Sequence, residues 1–320
     1  MRRQFKILTS IAIFLILNAC SMKNERTENQ TRLLVLMSDF GLSERFVASM
    51  KGVALGVDQN LKIYDLTHLI EPYNVWEASL TLAGTIAYWP QNTVFVSVVD
   101  PGVGTARKSV VLRTKSGHFV VTPDNGTLTF VAEQYGVAEL REIDEKVNRR
   151  PGTDDAHTFH GRDVYAYTGA RLAAGVISFE QVGPSLRPEV VKLPYQPAEK
   201  VSKTTILGNV TKVEKPYGNI VTNIPKELFD AFALNPDHKE MIQVEIKQDA
   251  ETVFCQKTPY VKSFGHVKPG QPLLYVDSVQ RMGLAVNGGN FADIHKVKAG
   301  PEWTIKLMKP TNRTQQQEPK

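Results

Sequence analysis

Three apolar runs in this 320-residue sequence each end in an acid and a turn: Ser38-Asp39-Phe40-Gly41, Asp100-Pro101-Gly102 and Pro123-Asp124-Asn125-Gly126. Ligands of open α/β sheets bind just past the carboxyl ends of the strands, so an acid there can act on a substrate; it can also only cap the turn. For Asp100 the two readings stand level until Arg107 is considered. It follows across the Pro-Gly-Val-Gly break and offers a guanidinium that the turn can fold back towards the acid. Asp39 reads as a carboxylate for a vicinal diol, with Phe40 a ring for stacking on a base beside the open backbone of Gly41. Asp124 and Asn125 read as turn chemistry.

His157-Thr158-Phe159-His160-Gly161-Arg162-Asp163 is the other polar cluster. His157, His160 and Asp163 stand three apart and could ligate a metal from one continuous helix. Gly161 weakens that helix and no second ligand cluster lies near. His160 is therefore read as a hydrogen-bonding group at the entrance of a helix that begins near Arg162. Gly102 to Ser109, GVGTARKS, is superficially like a P-loop. Arg107 occupies a position where both that motif and G-x-G-x-x-G require glycine.

The elements that must position these groups alternate from residue 33 to about 190. Strand patterns cover Leu33–Met37, Lys62–Leu66, Val94–Val99 and Glu139–Ile143, with Ser109–Arg113 and His118–Thr122 as a β pair. Helical spacing covers Arg45–Val57, Val75–Trp89, Leu128–Tyr135 and Arg162–Ala174. The pattern predicts an α/β fold, a mostly parallel sheet flanked by helices, over residues 33–195. Beyond a proline-bearing linker, Arg187 to Pro197, short strands separated by turns predict a smaller all-β, barrel-like domain over 196–310. Its polar turns, Lys215-Pro216-Tyr217-Gly218-Asn219 and the segment Ser278 to Asn290, are ordinary β-turns when taken alone.

The amino terminus reads as an address. Arg2, Arg3 and Lys6 precede an apolar stretch, Ile7 to Leu17, that ends in Leu17-Asn18-Ala19-Cys20. This resembles a bacterial lipobox: residues 1–19 are expected to be a lipoprotein signal peptide, with Cys20 the lipidated residue and 20–32 a tether. An uncleaved amino-terminal anchor is the alternative. Either places the protein in the cell envelope at a membrane surface. Loss of the three cations of the signal lowers the formal charge from +5 to +2, which gives no argument for nucleic acid. Cys255, in Val-Phe-Cys, is expected to be a small core residue. Residues 311–320 read as a disordered tail.

SDFG, DPGVGTAR, PDNG, HTFHGRD, PYGN and S-x-x-R-x-x-L-A-V-N-G-G-N, in this order over about residues 33 to 308, resemble the S-adenosyl-L-methionine (SAM) hydrolase (adenosine-forming) family. Its members are also called SAM hydroxide adenosyltransferases and are related to the fluorinase and chlorinase. The resemblance implies an enzyme that splits SAM into adenosine and L-methionine with water, without a cofactor or metal. It further implies a homotrimer whose sites lie between the first domain of one subunit and the second domain of its neighbour. Asp100, Arg107 and His160 match the family's catalytic triad. Asp39 matches the residue that holds the ribose hydroxyls, and Tyr73 lies where the fluorinase has a Trp beside the sugar. Phe40, Phe159, Gly161 and Tyr217 fall near the ligand. Asn219 and Val286 match adenine contacts, and Ser278 a contact to the methionine portion. Asp100 stands where the fluorinase has a tyrosine and Gly161 where it has a serine, which disfavours a halide nucleophile. The Lys115-Ser116-Gly117 turn lacks the fluorinase's insertion, and Met282-Gly283 replaces the hydrolases' usual Leu-Glu. A SAM-binding envelope lipoprotein without turnover, or adenosyl transfer to another nucleophile, are the alternatives.

Overall fold

The computed structural model describes residues 32–309, and the chain divides into two compact units that part between Val191 and Lys192. The expected signal peptide, the expected lipidation site Cys20, nearly all of the expected tether and the carboxyl-terminal tail lie outside the described residues. Among the described residues no helix is long and apolar enough to cross a membrane.

The first unit is built on a seven-stranded sheet. Its strands are β1 (Leu34–Ser38), β2 (Ile63–Thr67), β3 (Val94–Val98), β4 (Ser109–Thr114), β5 (Phe119–Pro123), β6 (Val137–Glu142) and β7 (Ser185–Leu186). Their order is β2-β1-β3-β5-β4-β6-β7. The pairs from β2 to β5 are parallel and those from β5 to β7 antiparallel, so the sheet is mixed. The change of direction comes from the tight Lys115–Gly117 turn, which makes β4 and β5 a hairpin rather than a crossover. All five residues of β3 are buried, as a strand covered on both faces requires. Burying each of its valines is worth roughly 1.5–3 kcal/mol relative to exposure.

Helices α1 (Phe46–Val57), α2 (Val75–Ile86), α3 (Thr129–Tyr135), α4 (Glu145–Asn148) and α5 (Tyr167–Ala173) complete this unit. In α1, Met50 and Ala54 lie one turn apart and are fully buried. The start of α2 is fixed by Asn74, whose side chain accepts from the Glu77 amide at 2.9 Å. A π-helical turn, Gly161–Ala166, runs directly into α5, and such turns concentrate at functional sites.

The second unit is an eight-stranded antiparallel sheet: β8 (Glu199–Ser202), β9 (Thr205–Glu214), β10 (Asn219–Pro225), β11 (Met241–Gln248), β12 (Glu251–Pro259), β13 (Pro272–Val276), β14 (Arg281–Val286) and β15 (Trp303–Met308). Two short helices, α6 (Lys226–Asp230) and α7 (Phe291–His295), are packed on it. The order β12-β11-β15-β9-β10-β14-β13 nearly closes on itself, because a bridge between Tyr260 and Leu274 brings the end of β12 beside β13. Cys255 departs from its expected core position. It is exposed on the edge strand β12, where only Phe254 and Thr258 are buried.

Candidate active site

The three strand-end acids share one rim, since β1, β3 and β5 are adjacent and parallel. They have different duties. Asp39 Oδ2 accepts from the backbone amide of Tyr73 at 2.9 Å, and Tyr73 adopts a left-handed conformation with its ring exposed. Asp124 is spent structurally: its Oδ1 accepts from the Val191 amide at 2.9 Å, and burial raises its carboxyl above the ordinary range. Asn125 donates to the Val99 carbonyl at 2.9 Å and so pins the end of β3.

At Asp100 the turn brings Arg107 back upon the acid. Arg107 Nε donates to Asp100 Oδ1 at 2.9 Å and Nη2 donates to Oδ2 at 2.5 Å, a two-point pair with side chains only 11% and 5% exposed. Gly104 makes the turn possible. Its φ is +77°, and a Cβ there would lie 3.1 Å from the His157 carbonyl oxygen. Nη2 of Arg107 also reaches His160 Nδ1, at 3.1 Å. Asp100, Arg107 and His160 are thus one connected group, with His160 immediately before the π-helical turn.

Burial opposes the charge on Arg107, but the Asp100 hydrogen bond, together with Tyr165, Asp100 and Glu145 as nearby charges, outweighs it and holds the guanidinium above its usual range. Burial is also the largest influence on His160. Arg107 and Arg149 add to it, and Glu145 and Asp100 oppose; the imidazole is held below the ordinary histidine value.

Asp100 and His160 line a cavity of about 310 Å³ together with Asp39, Phe40, Tyr73, Phe159 and Gly161. Phe40 is part of a cluster with Phe46 and Phe159, with ring centroids 5.3–5.7 Å apart, and forms a wall rather than a free platform. The remaining sequence-derived positions, Tyr217, Asn219, Ser278 and Val286, line a separate cavity of about 690 Å³ in the second unit. Asn219 is held there by donating to Glu214 Oε2 at 3.0 Å. The metal reading of the His157 cluster does not match its geometry, because Asp163 is fully buried and engaged with Arg162 at 2.7 Å.

Four polar groups around the triad escaped the sequence reading. Tyr165 Oη donates to Asp100 Oδ2 at 3.3 Å and lies 3.2 Å from Ser109 Oγ. Ser109 Oγ accepts from Arg107 Nη1 at 3.1 Å and donates to Glu145 Oε1 at 3.3 Å. Glu145 pairs with Arg149, whose Nη2 lies 3.2 Å from His160 Nε2. The i,i+4 spacing of Glu145 and Arg149 was the one signal available in the sequence. Ser38, His68 and Asp65 also form a chain, with 2.7 Å from Ser38 Oγ to His68 Nδ1 and 3.1 Å from His68 Nε2 to Asp65 Oδ1. It resembles a nucleophile triad, but Ser38 is fully buried. It instead supports the turn at Asp39, since the Phe40 amide donates to Ser38 Oγ at 3.3 Å and the Gly41 amide to the His68 carbonyl at 2.8 Å.

The two units coincide with two family models. Residues 34–183 match the SAM hydroxide adenosyltransferase N-terminal domain, and residues 208–304 match its C-terminal domain. The chain belongs to the SAM hydroxide adenosyltransferase family. Among the relatives of the chain is the (R)-S-adenosyl-L-methionine hydrolase of Methanocaldococcus jannaschii, 37% identical over 72% of the chain and 83% of the relative. The enzyme of the same name from Salinispora tropica is 35% identical over 82% of the chain and 93% of the relative. The solved structure of an uncharacterized conserved protein from Thermotoga maritima superposes with a TM-score of 0.77 at 34% identity, covering 87% of this chain and all of that one.

Two glycines shape the walls of the two cavities. A Cβ on Gly161 would lie 3.1 Å from both Phe40 and Val98, so a side chain there requires the cavity wall to shift. At Gly283 the missing side chain is replaced by the Tyr275 ring, which a Cβ would meet at 2.9 Å. Tyr275 lines the second unit's cavity.

Proposed function

We propose that the protein hydrolyses SAM to adenosine and L-methionine by in-line attack of water on ribose C5′. The carrying observation is the buried Asp100–Arg107–His160 group at the edge of a cavity that also presents Asp39. Relatives named (R)-S-adenosyl-L-methionine hydrolase support the same reading.

The water oxygen bonds to C5′, the C5′–S bond breaks, and its electron pair returns to sulfur as a neutral thioether. No general acid is needed for that leaving group, and the reaction written this way requires no cofactor or metal. The difficulty is the nucleophile, since bulk water ionises with a pKa of about 15.7. Asp100 lines the cavity, and its carboxylate can accept a proton. It takes the water's proton, which then passes to solvent. Arg107 fixes the carboxylate and His160 steadies Arg107, so that much of the acceleration comes from positioning. Asp39 accepts the ribose hydroxyls, with Phe40, Tyr73, Phe159 and Gly161 around the sugar and sulfonium. Tyr217, Asn219 and Val286 hold adenine, and Ser278 the methionine portion.

The family resemblance supports a homotrimer in which the first unit's cavity is completed by the second unit of a neighbour. The lipobox-like sequence supports anchoring through lipidated Cys20 in the cell envelope. Replacing Cys20 with Ser is expected to move the protein from the membrane fraction to the soluble one; retention in the membrane overturns the anchor. Incubation with SAM in water enriched in heavy oxygen tests the reaction. Label in the adenosine 5′-hydroxyl is expected. Absence of product would leave a SAM-binding lipoprotein, and a halogenated product on adding halide would indicate another nucleophile.

A further inference from the structure

Beside the cavity that Asp39 lines is a second one of about 400 Å³, bordered by Gly104, Arg107, Glu145, Arg149 and His157, and His160 is the residue common to both. Each ring nitrogen of His160 meets a guanidinium: Nδ1 is 3.1 Å from Arg107 Nη2, and Nε2 is 3.2 Å from Arg149 Nη2. Arginine only donates. A neutral imidazole can accept from one of the two; an imidazolium can accept from neither and would set N–H against N–H on both sides.

Arg149 is itself fixed. Its side chain is 8% exposed and paired with Glu145, and its Nη1 donates to the carbonyls of Thr153 and Ala156 at 3.3 Å each. It therefore ties the loop leading to His160 onto α4. Through Ser109 and Glu145 the two guanidiniums are also joined to each other, and the Arg149 Nη2 that meets the ring is the one paired with Glu145.

We propose that Arg149, anchored by Glu145, is a positioning residue of the triad: with Arg107 it clamps His160 as the neutral imidazole, and so keeps Arg107 aimed at Asp100. Its consequence for turnover rests on the hydrolase reading; the clamp itself does not. The groups facing the ring are Arg107 and Arg149, which oppose its charge, and Glu145 and Asp100, which favour it; Lys146, Asp154 and His157 border the same second cavity. Burial acts in the direction of the two arginines.

The test is the His160 titration followed by nitrogen NMR on the ligand-free full chain, beside the pH profile of kcat/KM. In the parent protein the ring is expected to stay neutral below the ordinary histidine pKa of about 6.5. Arg149→Met leaves Glu145 unbalanced and is expected to raise the midpoint by about one pH unit, whereas Arg149→Lys restores most of the shift. Glu145→Gln is expected to lower it, and this partly exposed position decides the matter if Arg149→Met does not fold. The acid limb of kcat/KM should follow the midpoint while KM stays within about twofold. A His160 midpoint indifferent to both substitutions overturns the clamp; a shifted midpoint with activity lost equally at every pH overturns its consequence for turnover. Titration as expected in a protein that releases no adenosine would overturn the hydrolase reading and leave the clamp standing.

Discussion

Replacing Asp100 by Asn keeps the side chain's shape and removes the charge that Arg107 meets at two points. A buried guanidinium then loses its counter-charge, at about 2–3 kcal/mol of stability. Turnover should fall roughly 10²–10⁴-fold if the carboxylate takes the water's proton; kcat measured beside a thermal melt separates the two effects, and a variant with parental turnover removes Asp100 from the reaction. His160 adds a pH dependence. Because burial and the two arginines lower its pKa, the native state binds the proton at lower pH than the unfolded chain does. The stability due to the neutral ring is complete above the ordinary histidine range and is lost as pH falls through the lowered value. The acids, Arg107 and His160 were legible in the sequence because strand ends and breaks mark them. Ser109, Glu145 and Tyr165 were not, since Ser109 opens an apolar strand and Tyr165 sits in a helical apolar pattern. Beyond the local Arg107–Ser109 and Glu145–Arg149 contacts, these groups are joined by contacts made 36 to 65 residues away in sequence.

Elements were read well where one face is buried and poorly where none is. The runs that became β1, β3 and β5 are apolar but for one serine or threonine each, and buried throughout. Strand β12 has no clear pattern in the sequence, because Glu251–Pro259 exposes most of its side chains and is held by pairing with β11. The turn between β3 and β4 is the element on which the site depends most. Gly104→Ala places a Cβ in the left-handed region and 3.1 Å from the His157 carbonyl. The expected cost is about 1–2 kcal/mol. It should appear as a melting point lower by roughly 2–8 °C, with a larger loss of kcat than of SAM affinity. A variant that melts and turns over like the parent would mean that the turn does not aim Arg107.

At the scale of the molecule, the sequence-derived site residues divide between the two units: Asp39, Asp100 and His160 line a cavity of the first, and Asn219 and Val286 one of the second. If the proposed trimer completes each site from two subunits, Asp100→Asn and Asn219→Ala chains, each inactive alone, should recover activity when refolded together. Random assembly gives about a quarter of the sites intact. No recovery from a mixed trimer would place each site within one chain. This division was not legible from composition or periodicity; it required motifs whose residues stand far apart in the chain.

The β4–β5 hairpin has an implication for how such chains diverge. Its turn, Lys115–Gly117, lies at the edge of the sheet opposite the rim, because β5 runs parallel to β3 and ends, like β3, at the acids. Added residues there would extend from the far side of the unit without entering the Asp39–Asp100–His160 cavity beside them. The length of that hairpin can therefore change without altering any group that lines the cavity, so a difference in chain length at Ser116 carries no information about the chemistry at the rim.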